Sequence, residues 1–234
     1  ELNISPKKAM DVIPKLPMIY DEPFSDSSQI PTFLVSQLAK TKVKVALSGD
    51  GGDELFCGYN RYVLTNSRFI KFRLIPLFLR KIIAFGIKSL SQNDWYRLFK
   101  LLPGINSHNN SGYKMHKGAN ALEANTLINL YYILCSQWQN PNEVVLNSKD
   151  PSTTLKNFNL NINELKNHEQ MMTVDLLTYL PDDILVKVDR AAMASSLETR
   201  VPFLNHKLVE YAWKIPHSLK LKNDNGKWIL KQIL

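Results

Sequence analysis

The stretch Val43-Lys-Val-Ala-Leu-Ser48-Gly49-Asp50-Gly51-Gly52-Asp53-Glu54-Leu55-Phe56 constrains the fold more than any other part of the sequence, because it runs an apolar strand directly into a loop of glycines and acids. Val43, Val45 and Leu47 have the character of a strand buried inside a sheet. After Leu47 the chain must turn sharply. Gly49, Gly51 and Gly52 permit positive φ and a close approach of backbone to ligand, so their amides can face phosphate oxygens while Ser48 offers a hydroxyl. Glu54-Leu-Phe reads as the start of a helix, whose N-terminal end would bring positive dipole to the same place. Asp50, Asp53 and Glu54 would repel a bare polyphosphate, so a nucleotide site here requires at least one of them to hold Mg²⁺ against it. On the glycines alone, a tight turn with N-capping acids is the plainer alternative.

A second, distant segment weighs against that alternative. From Tyr179 to Phe203 the chain reads Tyr-Leu-Pro-Asp-Asp-Ile-Leu-Val-Lys-Val-Asp-Arg-Ala-Ala-Met-Ala-Ser-Ser-Leu-Glu-Thr-Arg-Val-Pro-Phe. Five pieces in order carry a resemblance: Asp21-Glu-Pro-Phe, Leu47 through Tyr59, Tyr179 through Leu185, Lys187-Val-Asp-Arg190 and Leu197 through Leu204. Together they resemble the synthetase domain of the glutamine-hydrolysing asparagine synthetases, and they span most of the chain outside roughly 65–170.

The resemblance implies an enzyme that uses ATP to adenylate the side-chain carboxylate of aspartate, releases pyrophosphate, and lets glutamine-derived ammonia displace AMP to give asparagine. It implies nucleotide binding at Ser48 and Gly49, with Gly51 and Gly52 completing the loop, and an acid at Asp53 that supports Mg²⁺ and pyrophosphate. Asp50 falls where many members carry a glutamate needed for forming the adenylate. Arg190 falls where some members have a phosphate-contacting lysine, and Lys187, one turn earlier, is a second cation. The implied fold is α/β, a parallel sheet of the adenine-nucleotide alpha-hydrolase (HUP-like) type with a mostly helical extension. Residues 1–64 are then part of the nucleotide-binding core, and 65–234 the mostly helical remainder of the same domain.

Physical chemistry agrees with these roles. A carboxylate attacking an α-phosphorus is anion meeting anion, so positive charge belongs where negative charge accumulates. Lys187 and Arg190, three apart, share a helical face and suit a joint clamp on pyrophosphate. Their neighbours Ile184-Leu-Val, Val188 and Ala191-Ala-Met-Ala are too apolar for a helix lying free in water. Glu198 and Arg200 read as a structural ion pair before Pro202.

The chain departs from the family pattern at two positions. Cys57 stands where a glycine is usual, and Asp50 is one methylene shorter than the glutamate of many members. Aspartate at this position also occurs in related amidotransferases of polysaccharide and secondary-metabolite pathways, so another acceptor carboxylate remains an alternative, as does a non-catalytic remnant. The family's upstream Ser-Gly-Gly-x-Asp-Ser phosphate loop and its N-terminal glutaminase cysteine are not found in these 234 residues. The expectation is an internal fragment with little activity alone.

With 44% hydrophobic residues the chain can bury a real core. Cys57 and Cys135 have no metal-like spacing and read as thiols of a reducing, cytoplasmic compartment. No apolar run is long enough to span a bilayer. The net charge of +8 owes much to Arg68–Lys88, a segment both apolar and basic. Such a segment suits an anionic membrane or nucleic acid. The plainer expectation is a pair of helices broken near Pro76, with apolar faces on the core and Lys and Arg outward. Small-molecule substrates are therefore the expected partners, without nucleic acid or membrane, and a homo-oligomer is left open. Helices are expected at 31–40 and 171–180, and the Asn-rich stretches 106–113 and 157–167 read as connections.

Overall fold

The computed structural model describes residues 4–101, 110–136, 138, 144–148 and 162–234. In chain order its helices are α1 (Pro6–Met10), α2 (Leu16–Tyr20), α3 (Gln29–Lys40), α4 (Gly52–Leu55), α5 (Asn60–Arg73), α6 (Leu77–Lys88), α7 (Gln92–Leu101), α8 (Ser111–Leu122), α9 (Leu127–Cys135), α10 (Asn167–Leu177), α11 (Val186–Met193), α12 (His206–Lys214), α13 (His217–Lys220) and α14 (Trp228–Ile233). The strands are β1 (Val45–Leu47) and β2 (Glu198–Arg200). The described residues divide into two compact units, one of 4–59 with 172–234 and the other from within 60–171.

In the first unit β1 and β2 pair in parallel, Val45 opposite Glu198 and Leu47 opposite Arg200. Backbone bonds extend the pairing at both ends, Glu198 N–H to Lys44 O at 3.0 Å and Ser48 N–H to Arg200 O at 2.8 Å. Parallel strands need a long crossover, which explains how motifs so far apart in sequence become neighbours. α3 packs on α11. Its Ile30, Phe33 and Leu34 recur at helical spacing and join Val12, Leu16, Ile19 and Ala191 in one cluster. A second cluster gathers Leu55, Phe56 and Ala212 with Leu176, Phe203, Val209, Trp213, Ile229 and Leu230.

Three expectations are refined here. The architecture is α/β and mostly helical, with a small parallel sheet, but β1 is not buried: Val45 is 39% and Leu47 73% exposed. Among the described residues β1 pairs with β2 alone. The helix expected from 171 begins four residues earlier, at Asn167, and ends at Leu177. Pro181 has no N–H for an α-helical ladder, and the chain continues as a π-helical turn, Leu180–Leu185, that leads into α11. Such turns recur at functional sites. α3 begins at Gln29, two residues before the expected start.

In the second unit α6 and α7 pack on α8, and α5 and α8 on α9. Gly112 permits the close approach of α8, since a Cβ there would lie 2.0 Å from Gln92 O. Thr126 caps α9 by accepting the Asn129 N–H at 3.1 Å. The core here is Ala121, Ala124 and Leu130, packed by Phe69, Phe72, Ile133 and Leu134.

The break at Pro76 separates α5 from α6 as expected, but α6 is turned the other way round. Its buried residues are Arg80 and Ala84. Arg80 Nη1 donates to Leu122 O at 3.0 Å and to Ala124 O at 2.8 Å. Lys88 pairs with Glu123 at 2.7 Å. The carbonyls at the end of α8 need donors, and a buried arginine answers that need where an apolar residue would leave them bare. The rotation that serves them sends Phe78, Ile82 and Phe85 to the outside. Of the Asn-rich stretches, 106–109 and 157–161 lie outside the described residues, whereas Ser111 opens α8.

Candidate functional site

The glycine loop leaves β1 at Ser48, whose amide is tied to Arg200 on β2. Gly51 has φ +82°, a conformation that favours glycine, and a Cβ there would stand 2.9 Å from Leu204 Cδ2. Gly52 lies against the Phe203 ring, and the Cβ direction of Gly49 faces open space. The loop therefore rests on the turn that follows β2. This is the physical link between the two motifs singled out in the sequence. The expected helix is α4, only four residues long, so it has no aligned stack of peptides to make a helix-end anion site.

The three acids of the loop have three different surroundings. Asp50 accepts the Ser48 hydroxyl proton through Oδ2, and its own N–H points back at Ser48 Oγ. Glu54 turns inward and is buried, accepting from the Tyr59 hydroxyl at 2.8 Å through Oε1, while its buried Oε2 has no hydrogen-bond partner among the described residues. Burial pushes the Glu54 carboxyl above its ordinary value against the opposing hydrogen bond from Tyr59. The Tyr59 phenol is raised in turn, by burial and by the facing Glu54. Glu54 is thus withdrawn from any phosphate or metal at the loop surface, and Asp50 and Asp53 remain.

Asp53 meets a residue that the sequence reading did not single out. Lys227 Nζ lies 2.8 Å from Asp53 Oδ2, with both side chains 32% exposed. The approach is built by backbone. Lys227 adopts φ +55° ahead of α14 and donates its N–H to Phe56 O at 2.9 Å. Gly226 touches Cys57 O, where a Cβ would come within 2.0 Å. The lysine stem crosses Gly58, where a Cβ would lie 2.4 Å from Lys227 Cε and 2.0 Å from Asp53 Oδ1. Cys57 is buried with φ +55°, a left-handed conformation that accounts for glycine as the usual residue. The clue in the sequence was Gly226-Lys227 just before an apolar helix, a turn whose direction the sequence alone does not reveal.

Lys187 and Arg190 both lie on α11 but differ in their surroundings. Lys187 is buried, 2.5 Å from Asp26 Oδ2 and 2.7 Å from Ser28 Oγ. Burial works against an ionised Asp26, but Lys187 and the Ser28 amide and hydroxyl outweigh it and hold the carboxyl at about 2. Arg190 Nη1 reaches the exposed Asp21 carboxylate at 3.2 Å. Asp21, Glu22, Pro23 and Phe24 of the first motif line a cavity of 460 Å³ with Tyr20 and Gln29. No loop glycine lines it. Tyr20, stacked on Phe24, has its phenol raised to about 12, first by burial and then by Asp26 and Asp183. Glu198 and Arg200 form the expected ion pair at 2.7 Å, exposed on β2.

Among the described residues no group of three or more His, Cys, Asp or Glu could cage a metal. Mg²⁺ in a phosphate site needs one or two carboxylates beside substrate oxygens and water. Asp53, partly exposed beside an open glycine loop, fits such a donor.

The family model described as asparagine synthase matches residues 1–234. The chain is 32% identical over 235 residues to asparagine synthetase [glutamine-hydrolyzing] 1 of Bacillus subtilis (strain 168), covering 98% of this chain and 34% of that protein. It is 30% identical over 235 residues to the putative asparagine synthetase [glutamine-hydrolyzing] of Mycobacterium bovis, covering 99% of this chain and 33% of that protein. A third relative, putative asparagine synthetase [glutamine-hydrolyzing] 2 of Methanocaldococcus jannaschii, is 49% identical over 72 residues, 31% of this chain and 14% of that protein. The chain spans about a third of the length of the first two. No solved structure matches it significantly.

Proposed function

The chain belongs to the asparagine synthase family, and from that membership we propose that it carries part of a site that forms an amide from the side-chain carboxylate of aspartate, at the expense of ATP and with ammonia derived from glutamine. Bound ATP supplies the adenylyl group that activates the carboxylate, and Mg²⁺ screens the phosphates. The observation that carries the reading is the seating of the glycine loop on the Val201–Leu204 turn, tied by Ser48 N–H to Arg200 O at 2.8 Å, with Asp53 at its exposed edge.

Within this reading the chain's own groups divide the work. Ser48 and the amides of Gly49, Gly51 and Gly52 line the phosphate path, Gly49 contributing the open face. Asp53 holds Mg²⁺. Asp50, oriented by Ser48, stands where a carboxylate is needed during activation. Arg190 is the mobile cation, because its partner Asp21 is exposed and such a pair is worth little. Lys187 is proposed to serve the same step by fixing the Asp26–Ser28 turn and the helix that carries Arg190. β1 and β2 are proposed to belong to a parallel sheet of the adenine-nucleotide alpha-hydrolase type, where ligands gather beyond the carboxyl ends of strands.

The test is ATP–pyrophosphate exchange with Mg²⁺, made with the chain restored to its full reading frame and scanned over aspartate and other carboxylates. Exchange that requires aspartate supports the reading. Exchange driven by a different acid overturns aspartate as the acceptor, and none with any acid overturns the activation step.

A further inference from the structure

Helix α6 presents to solvent the face that a water-soluble helix ordinarily buries. Phe78, Ile82 and Phe85, at helical spacing of four and three, are 63%, 62% and 76% exposed, and Leu74 at the turn before the helix is 81% exposed. Leu79 and Ile83 flank them, also exposed, and Gly86 continues the strip with nothing near its Cβ direction. The face is not a slack end of the molecule. It is held outward by Arg80, whose guanidinium is locked to the Leu122 and Ala124 carbonyls, and by the Lys88–Glu123 pair.

The charge of the segment that carries this strip is of one sign, the nearby Glu123 being taken up by Lys88. Residues 68–88 contain six Lys or Arg and no Asp or Glu. With Arg80 and Lys88 engaged inward, Arg68, Lys71, Arg73 and Lys81 are exposed. We propose that α6 and the turn before it form a docking surface for a bilayer with anionic headgroups, the apolar strip entering the headgroup–acyl boundary and the four cations meeting the lipid phosphates.

Charge decides among the occupants. A second copy of the chain would bring Lys81, which flanks the strip on the same helix, towards like charge, which opposes pairing through this face. Nucleic acid would use the cations but gains nothing from Leu74, Leu79 and Ile82, and the strip has no glycine-and-aromatic stacking platform. An anionic bilayer uses both features together. The helix lies on such a surface and does not cross it: twelve residues span about 18 Å, and no helix among the described residues is long and apolar enough to traverse a membrane.

The experiment is co-sedimentation of the 234-residue chain with phosphatidylcholine vesicles, with and without phosphatidylglycerol, at low and high salt. The chain is expected to sediment with the anionic vesicles only and to be released by salt. Phe78→Ser with Phe85→Ser is expected to weaken the association about tenfold or more, with the helical circular dichroism unchanged because neither residue packs in the core. Lys81→Glu, a second variant on the same helix, is expected to weaken it too. Failure to bind anionic vesicles overturns the proposal, as does binding that the double serine variant leaves intact. A stable dimer that the same variant dissociates, with no vesicle binding, assigns the face to a second copy instead.

Discussion

Lys227 places its ammonium 2.8 Å from Asp53 Oδ2, across a span of chain that separates the glycine loop from the last helix. A half-open ion pair of this kind contributes little to stability. Its backbone supports are nevertheless specific, with Gly58 beneath the lysine stem and Gly226 pressed on Cys57. The arrangement brings a cation beside the acid proposed to hold Mg²⁺. Lys227→Met is therefore expected to split two affinities: Mg²⁺ alone binds more tightly, since Asp53 loses a competitor, and Mg²⁺-pyrophosphate binds several-fold more weakly. Thermal unfolding should move little, by about 0.5 kcal/mol or less. Calorimetric titration of each ligand measures the split, and parallel changes would remove Lys227 from the phosphate site.

Gly58 offers a steric test of the same geometry. Gly58→Ala puts a methyl 2.0 Å from Asp53 Oδ1 and 2.4 Å from Lys227 Cε, and neither side chain can stay where it is. A loss of about 1–3 kcal/mol in denaturant unfolding is expected, together with weaker pyrophosphate binding. A neutral outcome in both would mean that the lysine does not cross the glycine.

The Lys187–Asp26 pair should behave as a buried ion pair. Lys187→Met leaves Asp26 without its cation and is expected to cost about 3–5 kcal/mol. Asp26 is held at about 2 in the folded chain against an ordinary 3.8. Because the folded value is the lower one, the pair's contribution is complete above the ordinary value and is lost as pH falls through the folded one. Urea unfolding of wild type and Asp26→Asn across the acid range reads this out, with the two curves converging at low pH. A constant offset between them would contradict the pair's ionic character.

Glu54 carries the opposite sign. Burial raises its carboxyl above the ordinary 4.5, so the folded chain keeps the proton more tightly than the unfolded one, and stability declines as pH rises past that ordinary value. Glu54→Gln is expected to flatten this decline, seen as a smaller fall in melting temperature between about pH 5 and about pH 8. An unchanged slope would show that Glu54 is ionised in its pocket.

The local geometry of the glycine loop was legible in part because it is set by residue type. A strand does precede the loop, though exposed rather than buried, and of the three glycines read as permitting positive φ only Gly51 adopts it among the described residues. What was not legible depends on partners distant in the chain. Lys187 and Arg190 read alike as cations one turn apart, and only the fold shows one facing Asp26 from within and the other facing an exposed Asp21. Glu54 looks like a third loop acid until the turn of α4 carries it to Tyr59. The α6 segment defeated its pattern for a related reason. Its apolar periodicity is real, but the unmatched carbonyls at Leu122 and Ala124 bind Arg80 and fix which face turns inward. Hydrophobic spacing predicts a helix; it does not count the hydrogen bonds that set the rotation.

The most direct measurement is calorimetric titration of pyrophosphate into the chain, with and without Mg²⁺, for the wild type and for Asp53→Asn. The account predicts saturable binding that requires Mg²⁺ and that falls about tenfold or more in the variant. Binding that ignores Mg²⁺, or that Asp53→Asn leaves unchanged, would contradict the assignment of the glycine loop as a metal–pyrophosphate site.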